Sequence, residues 1–266
     1  MEKNFTINIL DGKGFVRYLD HMGDDITTVN AARTSFAKVS GFNDDGSVKP
    51  EDQKLIKFLA LNDPPHFSPF THPQISLHLK VPIYLRNQLD RSRIGLTISE
   101  VSRRYIFSDP EYYMPKFRTA PKNGAKQGSH DFFPEGFDLE QIKKDGQIAL
   151  NICDATYKHM IQAGVCPEQA RGFLPLSMYT EYHWTGSLYA FARVYNLRID
   201  AHAQWDCQQV AKAIGEICEK LFPLSWQYLC GVTKEEQMLY SLNRMKKEGT
   251  LSKEMIEELR KFVNDF

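Results

Sequence analysis

Apolar and polar residues alternate most cleanly between Gln74 and Val81. Ile75, Leu77, Leu79 and Val81 fall on one side, and Gln74, Ser76, His78 and Lys80 on the other. A two-residue period predicts a strand with one buried face. Phe5–Leu10 and Phe15–Asp20, joined by the turn Asp11-Gly-Lys-Gly14, predict a hairpin. Leu174–Thr185, rich in aromatic and β-branched residues, predicts a further strand, and the aromatic run Tyr105–Met114 one or two more.

Elsewhere the period is helical. Thr27 is placed to cap a helix over Thr28–Ser35, and Pro50 to open one ending at Leu61. Pro82 opens a third, with Gln88 and Arg91 on one face; Gly95, Thr97 and Ile98 break it. Asp138 and Gln141 form a capping pattern for a long helix to about Ala163, and Pro167 opens a short one holding Arg171. Ser187 caps a helix to about Leu197, with Arg198 at its end. Asp200 is placed to cap the next, with His202 in its first turn and Val210, Ile214, Ile217 and Leu221 as its buried stripe. Thr233 and Glu236 form a capping box for a terminal helical pair. Its stripes, Leu239, Leu242, Met245 and then Leu251, Met255, Leu259, Phe262, read as packing surface. Strands in clusters with helices segregated from them predict an α+β fold rather than a doubly wound one. Thr119–Ser129, rich in Lys, Gly and Asn, predicts a mobile loop, either a lid or plain surface.

Composition narrows the function. Lys plus Arg and Asp plus Glu balance at 33 each. That opposes binding nucleic acid through bulk charge, since such domains are usually basic. No apolar run reaches the ~20 residues needed to span a bilayer, and the first residues lack a signal-peptide core. A cytoplasmic protein without membrane contact is expected. The five cysteines form no C-x-x-C pair and read as reduced core residues.

Against that neutral background one stretch stands apart. Gln88 to Tyr105 holds Arg91, Arg93, Arg103 and Arg104 with three serines and no lysine. Arginine suits planar, two-pronged recognition of phosphate or of a base edge. The stretch reads as the wall of an anion site, or else as a surface helix with incidental arginines. His66-Phe-Ser-Pro-Phe-Thr-His72, Arg171 and Asn196–Gln204 supply further polar groups. Their convergence would surround a phosphorylated planar ligand. No activated nucleophile, P-loop or G-x-G-x-x-G is present. Catalysis by charge stabilisation, with a cofactor carrying the harder chemistry, is the expectation.

The order of these pieces resembles the flavin-dependent thymidylate synthase family. That family's signature is R-H-R, seven residues, then S, followed closely by R-Y; this chain has Arg91-Ser-Arg93, eight residues, then Ser102-Arg-Arg-Tyr105. Ser68-Pro-Phe-Thr-His72 resembles its T-P-F-E-H, and Ala31-Ala-Arg-Thr-Ser35 its A-A-R-x-S. Ala170-Arg-Gly-Phe-Leu-Pro175 and Asn196-Leu-Arg-Ile-Asp-Ala-His-Ala-Gln-Trp205 match two further blocks. The likeness runs from about residue 6 to residue 230.

The resemblance implies a twisted, mainly antiparallel sheet flanked by helices. A domain over residues 1–232 would carry the C-terminal helical pair, 233–266, packed on it. It implies a homotetramer with active sites between subunits, methylating dUMP at C5. Methylenetetrahydrofolate would give the carbon, FAD carry the hydride and NADPH reduce the flavin. By position, Gln88, Arg91, Glu100, Ser102, Arg103, Arg104, Arg171 and Arg198 would hold dUMP, with Arg198 favouring loss of the uracil N3 proton. Ser35, Ser68, Arg91, Ser92, Arg93, Glu100, Ser187, Arg193 and His202 would meet FAD, and His66 the flavin or folate face. No metal is implied. The departures from the pattern lie mainly on the flavin side. Ser92 replaces the signature histidine, Ser99 an asparagine, Ser187 and Arg193 two further asparagines, and Tyr189 an arginine. One extra residue lies between Arg93 and Ser102.

Overall fold

The computed structural model describes residues 1–62, 64–106, 108–120, 131–249 and Met255. Residues 121–130 of the predicted loop, and Leu251, Leu259 and Phe262 of the last stripe, lie outside the described residues. The chain divides into two compact units. One comprises Met1–Asp20, Ile75–Gly186 and Arg193–Glu216; the other comprises His21–Gln74, Ser187–Ala192 and Ile217–Phe266.

The first unit is built on a five-stranded sheet. Its strands are β1 (Thr6–Ile9), β2 (Gly14–Met22), β3 (Gln74–Pro82), β4 (Leu96–Glu100) and β5 (Tyr179–Ser187), in the order β1-β2-β3-β5-β4. β1 and β2 are antiparallel, with Thr6 opposite Arg17 and Ile9 opposite Gly14. The Ser76–Thr185 hydroxyl pair at 2.9 Å and the Ile83 N–H donating to Met178 O at 3.0 Å set β5 antiparallel to β3. Ile75, Leu77, Leu79 and Val81 are fully buried, as their alternation predicts. The α+β expectation, with a mainly antiparallel sheet, holds.

β4 corrects the expectation of a mere helix break. The residues expected only to interrupt a helix form an edge strand antiparallel to β5, from Leu96 opposite Gly186 to Glu100 opposite Tyr182. β-branched Thr97 and Ile98 fit a pleated ribbon better than a helix. Two glycines permit the approach. Gly95 has φ +79°, and a Cβ on Gly186 would lie 2.3 Å from Gly95 O. The helix before it, α3 (Ile83–Asp90), starts directly at the end of β3; its first N–H groups donate to Met178 O (3.0 Å) and Leu176 O (3.1 Å).

Tyr105–Met114 gives one isolated bridge, Tyr112 with Met178, rather than a strand. Its aromatics are anchored by their hydroxyls instead. Tyr112 donates to Asp154 (3.0 Å) and Tyr113 to Asp206 (2.8 Å). Asp154 lies on α4 (Glu140–Gln162), whose first turn is met by Asp138 accepting from Glu140 N at 2.9 Å. Arg171 sits in a 3-10 turn, Arg171–Phe173, after the four-residue α5 (Pro167–Ala170). β5 begins at Tyr179, later than the predicted Leu174, and the helix after it is α6 (Leu188–Arg198). Asp200 caps only a turn, accepting from His202 N (2.8 Å) while its carbonyl accepts from Ala203 N (2.9 Å). α7 starts later, spanning Trp205–Leu221, so His202 lies in the turn and not in the helix.

The second unit is helical. α1 (Asp25–Arg33) is capped by Asp24, with Thr27 completing a capping box at the third position instead of serving as the cap. Ser35 falls in the following 3-10 turn, Thr34–Phe36. α1 packs with α2 (Pro50–Leu61) and α8 (Pro223–Cys230). The Asp25 carboxylate closes the join, accepting from Leu224 N (3.0 Å) and Ser225 N (2.8 Å) in the first turn of α8. Ser187 accepts from Ala190 N at 3.2 Å and so caps α6 as expected. α9 (Lys234–Lys247) carries the predicted Thr233–Glu236 capping box and lies against α2. Leu242 is buried on it, but Met245 is exposed, so the predicted stripe is shorter than the helix. Among the described residues no helix is long and apolar enough to cross a membrane.

Candidate active site

The end of α6 and the end of α3 share the wall of a cavity of about 880 Å³ in the first unit. Arg198 Nη2 donates to Gln88 O (2.9 Å) and to Ser92 Oγ (3.2 Å). Arg198 Nε is buried and has no acceptor among the described residues. A buried unpaired donor costs about 1–3 kcal/mol, and the residue that carries it lines the cavity wall. Gln88, Asn196, Trp205, Lys116 and Arg118 line the same space. Asp206, also in the lining, is already committed: it accepts from Tyr113 (2.8 Å) and Gln204 (2.9 Å). Burial pushes the neighbouring Cys207 thiol up to about 11, against the opposing pull of Arg198, so it is no thiolate nucleophile.

A second cavity of the same unit, about 620 Å³, collects Glu100, Ser102, Arg103 and Arg171. Ser102 Oγ accepts from Arg171 Nη1 (3.4 Å) and Arg104 Nε (3.4 Å), long contacts that leave both guanidiniums with spare donors. Arg103 donates to Ser108 O. Glu100 is held from two sides, by Thr180 OH at 2.8 Å and by Arg86 Nε at 2.8 Å from its other oxygen. Arginines gathered on a serine suit an oxyanion such as phosphate, although Asp109, Glu111, Glu168 and Glu181 line the same cavity. Six of the residues expected to hold one nucleotide therefore line two cavities of a single chain, while Arg91 and Arg104 line neither. Gln88 and Arg198 lie in one, and Glu100, Ser102, Arg103 and Arg171 in the other.

The remaining residues divide by exposure. Arg91 and Arg93 are exposed on either side of buried Ser92, and Arg93 pairs with Asp90. His202 is exposed, with Nδ1 2.9 Å from Asp200. Arg193 is half-buried on α6. In the second unit Ser35 and Ser68 are exposed in 3-10 turns, and His66 stacks on Phe58 at 5.6 Å. Tyr189 stacks on Phe67 at 5.1 Å. A cavity of about 610 Å³ there is lined by Asn30, Ala31, Thr34, Lys38 and His72. It thus joins the Ala31–Ser35 and Ser68–His72 segments. Arg33 is paired with fully buried Asp52. Ser187, 6% exposed, is occupied as the α6 cap.

Residues 17–224 match the family described as "Thymidylate synthase complementing protein". The chain belongs to the flavin-dependent thymidylate synthase family. It is 36% identical over 253 residues to the flavin-dependent thymidylate synthase of Kosmotoga olearia, covering 92% of this chain and 99% of that one. It is 36% identical over 227 residues to that of Thermus thermophilus, covering 85% and 78%. Among solved structures, the UMP/dUMP methylase PolB from Streptomyces cacaoi bound with 5-Br dUMP aligns with TM-score 0.69 and 25% identity, covering 84% of this chain and 96% of that one. The flavin-dependent thymidylate synthases are enzymes, and two of this member's departures from the family pattern lie inside the protein. Ser92 and Ser187 are both buried and internally bonded.

Sequence reasoning missed Lys116, Arg118 and Trp205 in the first cavity, and Asn30 and Lys38 in the second unit. Lys116 and Arg118 belong to no motif. Both lie over the Phe132 ring, at 4.5 and 5.3 Å, a contact no spacing rule anticipates.

Proposed function

We propose that the chain catalyses the reductive methylation of dUMP at C5, giving dTMP. Methylenetetrahydrofolate is the carbon donor, FAD the hydride carrier and NADPH the reductant. The enzyme works as a cytoplasmic homotetramer with its sites between subunits. The observation that carries this reading is Arg198, a guanidinium pinned at one nitrogen with a buried, unpaired Nε in a cavity wall beside Gln88. A fixed cation beside the uracil O4–N3–O2 edge stabilises negative charge on the ring, which raises the electron density at C5. Arg198 is the catalytic residue. Ser102, Arg103, Arg104 and Arg171 take the phosphate, and Gln88 orients the base.

The exposed polar groups fit a flavin dinucleotide in kind. Arg91 and Arg93 offer cations for a pyrophosphate, and Ser35, Ser68 and His202 offer hydrogen bonds. The flavin supplies the hydride when bound. Glu100, braced by Arg86 and Thr180, lies between nucleotide and flavin, and His66 at the flavin or folate face. Ser92 and Ser187 bond internally instead. Release of tritium from 5-labelled dUMP with FAD, NADPH and methylenetetrahydrofolate tests the reaction; no release under reducing, anaerobic conditions overturns it.

A second reading is favoured by the likeness to a protein described as a UMP/dUMP methylase. Here the fold is kept and the chain hydroxymethylates or otherwise modifies a pyrimidine nucleotide. The product mass separates the two: a methyl group added to dUMP supports the first, and any other increment or a ribonucleotide product the second.

A further inference from the structure

Ser92 stands where the family signature has histidine, and its surroundings give it a different task. Arg91 and Arg93 point to solvent, while Ser92 is only 7% exposed and its Oγ receives a hydrogen bond from Arg198 Nη2 at 3.2 Å. The same nitrogen donates to Gln88 O at 2.9 Å, one turn earlier at the end of α3. Two acceptors on one nitrogen fix both the position of the guanidinium and its rotation. Arg198 lines the cavity beside Gln88, with its Nε buried. With one acceptor alone the plane could pivot about that bond.

We infer that Ser92 is a positioning residue for Arg198, setting the plane in which the guanidinium meets the pyrimidine. The inference rests on the proposed dUMP site. It assigns to a departure from the family pattern a role in nucleotide activation rather than in flavin contact.

The test is a double-mutant cycle, Ser92→Ala, Arg198→Ala and both together, read on the ultraviolet difference spectrum of bound dUMP against pH. That spectrum reports ionisation of the uracil ring and needs neither flavin nor folate. The native protein ionises bound dUMP at lower pH than free dUMP. Ser92→Ala moves the midpoint back toward the free nucleotide and lowers tritium release about 10-fold, equivalent to ~1.4 kcal/mol. In the Arg198→Ala background the serine substitution has no further effect. Ser92→Thr, which keeps the hydroxyl, restores the native midpoint. Thermal midpoints confirm that the variants are folded. A Ser92→Ala protein with the native midpoint, or shifts that add in the double variant, overturns the inference alone. A native protein that binds no dUMP overturns the proposed site and the inference with it.

Discussion

At the scale of single residues, the roles proposed for the two arginine sites predict losses that differ in kind. Arg198 is held by a backbone carbonyl and a buried hydroxyl, so it costs little to reorganise when charge develops on a ring beside it. Arg198→Ala is expected to leave the dUMP dissociation constant within a few-fold of native. Turnover should fall about 100-fold, in the range for losing one preorganised donor. Arg104 and Arg171 share one serine of the other cavity. Substituting either by Ala removes a charge-assisted bond to phosphate, worth about 1.5–3 kcal/mol, so dUMP should bind at least ~10-fold more weakly. Calorimetry beside tritium release separates these outcomes, and the reverse pattern would exchange the two roles. With Ser92 and Ser187 turned inward, FAD should leave the protein on gel filtration. A yellow protein with stoichiometric flavin would refute this.

Asp25 illustrates the same logic applied to stability. Its carboxyl is raised above the ordinary 3.8, chiefly by burial, with the bonds from Ser225 and Leu224 opposing. A folded value above the unfolded one means the native state binds the proton more tightly. Its contribution is then largest below the unfolded value and declines as pH rises from 3.8 through the folded value. Asp25→Ala should remove that slope. It should also lower stability at neutral pH by ~1–2 kcal/mol, as for loss of a helix cap. Urea unfolding at several pH values checks both.

At the scale of elements, β4 decides where Glu100 and the residues after it lie. Gly186→Ala would place a methyl group 2.3 Å from Gly95 O, a backbone atom that cannot swing aside. The expected result is a displaced β4, with stability lower by about 1–3 kcal/mol and weaker dUMP binding. Binding loss without destabilisation would show that the Gly95–Gly186 approach is dispensable. β4 was also the least legible element. Its five residues form an exposed edge with little burial contrast, and Gly95 looks like a helix terminator in any local window. β3 was legible because both its faces differ sharply in polarity. The aromatics after Tyr105 resemble a strand but are anchored by Tyr–Asp bonds, to residues 42 and 93 positions away. Residue type alone predicts an anion site in the Arg cluster. It does not predict that Ser92 turns inward onto Arg198, 106 positions on. Nor could spacing show that the cluster is split between two cavities.

At the scale of the whole molecule, that split has a consequence for assembly. Gln88 and Arg198 line one cavity, and Ser102, Arg103 and Arg171 another. One dUMP touching both sets is most simply accommodated when the base lies in one copy's cavity and the phosphate on another copy's arginines. A closed symmetric tetramer repeats such a shared site without leaving any set unpartnered. Complementation tests this. With dUMP well below its dissociation constant, the Arg198→Ala protein should run about 100-fold and the Arg171→Ala protein at least ~10-fold below the native rate. If each site draws Arg198 from one copy and Arg171 from another, tetramers re-formed from an equal mixture contain sites with both arginines intact. With random assembly that fraction is about a quarter, so tritium release should recover to about a quarter of the native rate. If one copy supplied both arginines, every site in the mixture would carry a lesion and no activity would return. Mixing without dissociation and reassembly is the control, and should stay at the variants' own low rates in either case.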